Sequence, residues 1–80
     1  MENDIVVPKF HIGQFVYIVV VNRGGFTMFP ATIVGFSYDA GLRRYSYGVD
    51  RGEGLTYYAE SSVFTDQEVA LRYGLSHTRE

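Results

Sequence analysis

The tyrosines are the residues best placed to do chemistry in this 80-residue chain, which holds 7 of them with 6 phenylalanines. Tyr38, Tyr45, Tyr47, Tyr57 and Tyr58 fall within a short stretch, close to Asp39 and Asp50. Rings converging beside a carboxylate can cage a methylated lysine or arginine by cation–π attraction. The simpler reading keeps each ring in the core and each hydroxyl at the rim. Arg43 and Arg44, with Arg23 and Arg51 in nearby loops, form the basic concentration. Interleaved with Tyr45 and Tyr47, they could meet single-stranded nucleic acid by stacking and phosphate contact. Asp39, Asp50 and Glu53 cancel much of that field, so a solvated hairpin end is favoured.

Other candidate chemistry is weaker. His11 and His77 lack metal-ligand spacing to one another or to a carboxylate pair. Asp50, Glu53 and Glu60 could supply acid–base groups, but no nucleophile accompanies them. Gly52-Glu53-Gly54 lacks the third glycine and the following helix of a phosphate loop. No cofactor or metal is expected, and no catalytic residue.

Composition narrows the classes further. Hydrophobic residues make up 46% and the formal net charge is -2. A slightly acidic chain is a poor general nucleic-acid binder. There is no cysteine, so there is no disulfide, thiolate site or thiol nucleophile. The longest apolar run, Phe15 to Val21, is too short to span a bilayer, and the start Met1-Glu2-Asn3-Asp4 is too acidic for a signal peptide. A cytoplasmic location is the expectation.

The elements that must carry these residues read mainly as strands. Ile5-Val6-Val7-Pro8 suits a short edge strand, because proline cannot donate to a ladder. His11-Ile12-Gly13-Gln14 is a turn. Phe15-Val16-Tyr17-Ile18-Val19-Val20-Val21 is a strand apolar on both faces, so its second face needs a helix, a neighbouring segment or another subunit as cover. Asn22-Arg23-Gly24-Gly25 is a loop, which makes Phe26, Met28 and Phe29 candidate loop contacts. A second strand spans about 28–38, and Gly35 within it marks a bulge or bend. The third, about 43–50, alternates, with Tyr45, Tyr47 and Val49 on one side. Leu55 to Ala59 is a fourth, and 60–64 a single helical turn or loop. Thr65-Asp66-Gln67-Glu68 fits a capping box led by Thr65. The helix is expected over about 66–73, stopped by Gly74, with 76–80 as a frayed tail.

The opening Gly13-x-x-Val16-Tyr17, the stretch Pro30-Ala31-Thr32-Ile33-Val34-Gly35-Phe36 and the run Tyr47-Gly48-Val49-Asp50 resemble SH3-like barrels over residues 10–64. The pattern is similar to Tudor-like domains, to type II dihydrofolate reductases, and to small bacterial or phage proteins. The reductase resemblance implies a homotetramer around a pore whose wall carries Val-Gln-Ile-Tyr. Here Leu55-Thr56-Tyr57-Tyr58 matches at Tyr58 but has Thr56 in place of the ligand-contacting glutamine, and Ile18 stands near the position of that family's lysine.

The sequence therefore predicts one domain over residues 1–80: an all-β, SH3-like small antiparallel barrel of four or five strands with a short C-terminal α-helix. The expected core is Val16, Ile18, Val20, Ile33, Val49, Leu55 and Val63. The expected role is a non-catalytic binding or adaptor module that engages a protein partner or self-associates. Its candidate contacts are Phe26, Met28, Phe29, Tyr38, Arg43, Arg44, Tyr45, Tyr47, Tyr57 and Tyr58. A reductase-like enzyme and a nucleic-acid-binding domain are the alternatives.

Overall fold

A computed structural model describes residues 7–77. Five antiparallel strands form one sheet in the order β4-β3-β2-β1-β5. They are β1 (Phe15–Asn22), β2 (Gly25–Asp39), β3 (Arg44–Asp50), β4 (Leu55–Ala59) and β5 (Val63–Phe64), with a 3-10 turn (Glu60–Ser62) before β5 and a helix α1 (Gln67–His77) after it. The mainly-β class with a C-terminal helix is thus as the sequence predicts.

β1 and β2 pair from Phe15↔Thr32 to Asn22↔Gly25, so only Arg23 and Gly24 make the turn. The strand begins at Gly25 rather than near residue 28, and Phe26, Met28 and Phe29 are strand residues rather than loop contacts. Beyond Ile33 the ladder to β3 shifts at a bulge before Gly35. This one-residue insertion reverses which side chains face the core. Ile33 pairs with Val49, Phe36 with Tyr47 and Tyr38 with Tyr45, so Phe36 and Tyr38 join the tyrosines of β3 on a single face.

Two apolar layers result. The first holds Phe10, Val16, Ile18, Ile33, Tyr47, Val49 and Val63, with Val20, Phe29, Ala31, Tyr45 and Tyr58 packed against it. The second lies on the other face of β1, where α1 packs across β1, β2 and β5. Val19 and Ala70 are buried there, and the rings of Phe64 and Tyr73 meet at 5.0 Å. The helix is therefore the cover that the double-faced β1 requires.

Several expectations are corrected. Leu55 is 52% exposed, because β4 turns Leu55 and Tyr57 outward and Tyr58 inward. Val20 is only partly buried. Phe10, Val19, Tyr47 and Ala70 join the core. Val7 and Pro8 form no strand, while residues 5 and 6 of that expected edge strand, like 78–80 of the expected tail, lie outside the described residues. Residues 63–64, expected as turn or loop, form β5.

The helix differs at both ends. Its cap is Asp66, whose Oδ1 accepts from the amides of Glu68 at 2.8 Å and Val69 at 3.4 Å. Thr65 lies one residue too early to reach the same donors. Gly74 does not stop the helix, which runs on through Ser76 and His77. Gly74 is buried because the helix backbone passes against the Phe26 ring: a Cβ built there would stand 2.5 Å from Phe26 Cε2 and 2.7 Å from Cγ.

Candidate binding surface

The bulge at Gly35 determines where the aromatic residues meet. Phe36 and Tyr45 have ring centroids 5.6 Å apart, Tyr38 and Tyr45 are 4.8 Å apart, and Tyr45 and Tyr47 are 6.3 Å apart. These rings form one row that starts in the core at Tyr47 and runs out along the β2–β3 hairpin. Tyr47 is fully buried, whereas Phe36 is 43% and Tyr38 41% exposed. β1 pairs with β2 no farther than Thr32, and β4 pairs with β3 no nearer the hairpin tip than Ser46. The arm from Phe36 to Tyr45 therefore extends past its neighbouring strands and presents rings to solvent.

The predicted tyrosines do not form one cage. Tyr57 lies on the opposite face of the sheet, over Gly48: a Cβ added there would meet its ring at 3.0 Å, and a Cβ on Gly35 would meet its hydroxyl at 3.4 Å. An aromatic ring laid over strand glycines replaces the packing those glycines lack. Tyr58 pairs edge-on with Phe29 at 5.9 Å, against the core. Tyr38 and Tyr45 alone of the predicted tyrosines join the arm. Phe36 belongs with them and escaped the sequence reading, because simple alternation from Ile33 places it on the other face. The glycine at 35 was the signal available.

Phe26, Met28 and Phe29 are half-buried. Phe26 supports the helix, and Met28 shares the helix-facing side through its pairing with Val19. Phe29 lines the core and carries the Arg51 guanidinium 3.9 Å above its ring centroid. The four arginines are likewise divided. Arg23 turns β1 into β2, and Arg43 and Arg44 lie beyond the other end of the 15-residue β2. Arg51 is held on Phe29. The basic edge that suggested nucleic acid is not one patch.

Tyr47 performs the most specific polar task. Its hydroxyl accepts from the amide of Lys9 at 2.8 Å and, more weakly, from that of Phe10 at 3.4 Å. It donates to Glu60 Oε2 at 2.6 Å. Burial first, then the bond to the Glu60 carboxylate, pushes the Tyr47 pKa up to about 12. The hydroxyl thus pins the N-terminal segment to the 3-10 turn and stays protonated at neutral pH. Beside it lies a cleft of about 430 Å³ lined by Lys9, Arg44, Ala59, Glu60 and Ser61.

The positions that bear on reductase chemistry are now fixed. Ile18 is fully buried, and Thr56 of β4 pairs with Val49 of β3. Among the described residues no group of three or more metal-ligating side chains comes together, and no helix is long and apolar enough to cross a membrane. The chain matches no protein-family model, no curated protein and no solved structure.

Proposed function

We propose that this chain is a small SH3-like barrel that acts as a non-catalytic, cytoplasmic binding module, engaging a protein partner or a second copy through the β2–β3 arm. The strand order and the 3-10 turn between β4 and β5 support the barrel reading. The exposed rings of Phe36 and Tyr38, packed on the half-buried Tyr45, support the binding reading. Aromatic residues are enriched in interface cores because they bury large area while losing little side-chain freedom. Here Tyr47 is in the core and Tyr45 packs against it, while Phe36 and Tyr38 extend the row into solvent.

The test replaces Tyr38 with a photo-crosslinking phenylalanine analogue and, in a second protein, replaces the exposed helix residue Arg72 in the same way. Irradiation in host cells should give an adduct of defined mass from position 38 alone. An adduct at twice the 9.1 kDa chain mass identifies a second copy, and another defined mass identifies a different protein. The double variant F36S/Y38S should lose the partner while still unfolding cooperatively, at a melting temperature lowered only by the lost ring contacts with Tyr45. No adduct at 38, or equal adducts at 38 and 72, overturns the assignment.

A further inference from the structure

The cleft beside Tyr47 has an arrangement of charge that the fold does not use. Arg44 lies across the ladder from Asp39, its natural ion partner. Asp39 Oδ1 instead accepts from the Leu42 amide at 3.1 Å, within its own turn. The Arg44 guanidinium makes no ion pair within 4.0 Å among the described residues, although it lines the same cleft as Glu60. Lys9 adds a second cation, with Nζ 5.5 Å from the Phe10 ring centroid and no carboxylate on it.

Glu60 is fixed in direction. Its Oε2 takes the Tyr47 hydroxyl at 2.6 Å and the Lys9 amide at 3.3 Å. Its Oε1 accepts no bond from any described residue. The cleft therefore offers two separated functions: a planar guanidinium with an ammonium for an oxyanion, and one carboxylate oxygen for an N–H donor. Arginine binds carboxylate through two parallel hydrogen bonds, and an unpaired one is predisposed to do so.

We infer that this cleft binds an α-carboxylate flanked by an N–H donor, the chemistry shared by the C-terminal end of a peptide and by a free amino acid. The carboxylate meets Arg44 and Lys9, and the N–H meets Glu60. Glu60 also selects against a phosphate, since a second negative charge would lie close to its own. The volume of about 430 Å³ holds one or two residues rather than a folded surface. The assignment rests on the binding-module reading, adding a partner's chain end to the arm beside it.

The probes are acetyl-Ala-Ala with a free carboxylate, the same dipeptide amidated, free alanine and inorganic phosphate. Each is titrated into the full chain while the backbone amide resonances of Lys9, Glu60 and Ser61 are followed. The free-carboxylate dipeptide should shift all three and saturate in the millimolar range. Amidation should weaken it at least tenfold, and Arg44→Gln should do the same with its melting temperature unchanged. Saturation by free alanine with equal strength identifies the amino acid as the source of the ligand, and tighter binding of the dipeptide identifies the peptide end. Equal shifts from the amidated and free forms, tighter binding of phosphate, or an unaffected R44Q would overturn the inference. These readouts are independent of crosslinking at position 38: adducts there with no carboxylate binding refute the cleft alone, and carboxylate binding without adducts refutes the arm alone.

Discussion

Replacing Gly74 by alanine sets two known effects against one another. Within an exposed helix the change gains about 0.8–1 kcal/mol, because alanine is the better helix former. Here the new methyl would stand 2.5 Å from Phe26 Cε2 and 2.7 Å from Cγ, closer than real carbon atoms approach. Cγ is bonded directly to the Phe26 Cβ, so spinning the ring about its own axis does not clear the contact. The side chain must leave its rotamer or the helix must lift from β2. Overpacking of this kind costs about 1–3 kcal/mol. The net expectation is a loss of up to about 2 kcal/mol, equivalent to up to about 15 °C in melting temperature for a chain of this size. In a Phe26→Ala background the obstacle is gone, and G74A should then stabilise by about 0.5–1 kcal/mol. Chemical denaturation of the wild type, both single variants and the double variant closes the cycle. The reasoning is refuted if G74A stabilises the wild-type chain, or if its effect has the same sign and size in both backgrounds.

Three further predictions concern the polar fixtures. Tyr47→Phe leaves the Phe10 amide without its acceptor and the Lys9 amide with only its longer bond to Glu60, and should cost about 1–3 kcal/mol, with faster amide hydrogen exchange at Phe10 as the local readout. The raised Tyr47 pKa sets a direction for alkaline stability. Its stabilising share is complete below pH 10, the ordinary tyrosine value, and is lost as pH rises through about 12. The rise from 10 to about 12 bounds that share at roughly 2.7 kcal/mol, and about 1 kcal/mol is expected. The difference between wild-type and Y47F stability should shrink over that window, and a difference that grows would contradict the assignment. Finally, Asp66→Ala should cost about 1 kcal/mol and Thr65→Ala a few tenths at most, read by thermal melts; the reverse order would restore Thr65 as the cap.

The strands were legible because their patterning is strong. β4 lies where the sequence placed it, and the alternation of Tyr45, Tyr47 and Val49 along β3 is the observed one. The apolar double face of β1 foretold a cover, and α1 provides it. What failed depends on contacts between distant segments. Gly74 reads as a helix stop by its type, yet its role is set by Phe26, 48 residues earlier in the chain. Phe10 stands alone between polar neighbours, and only its edge-on contact with Tyr47 at 5.1 Å explains its burial. β5 is two residues long, too short to show any period, and exists because β1 offers Tyr17 and Ile18 as partners. The arm was half legible: its tyrosines are in the sequence, but the bulge that brings Phe36 to them alters parity at a single residue.

The helix that seats on Phe26 is also the last of these elements to leave the ribosome. Until it emerges, the outer face of the first hairpin, with Tyr17, Val19, Phe26 and Met28, has no cover from this chain. At roughly 5–20 residues per second, the interval between completing that hairpin and completing the helix is a few seconds. A chain interrupted within it would display an uncharged β-surface to its neighbours on the same messenger. Early termination in the stretch that encodes residues 65–77 should thus yield aggregates rather than a shorter folded sheet.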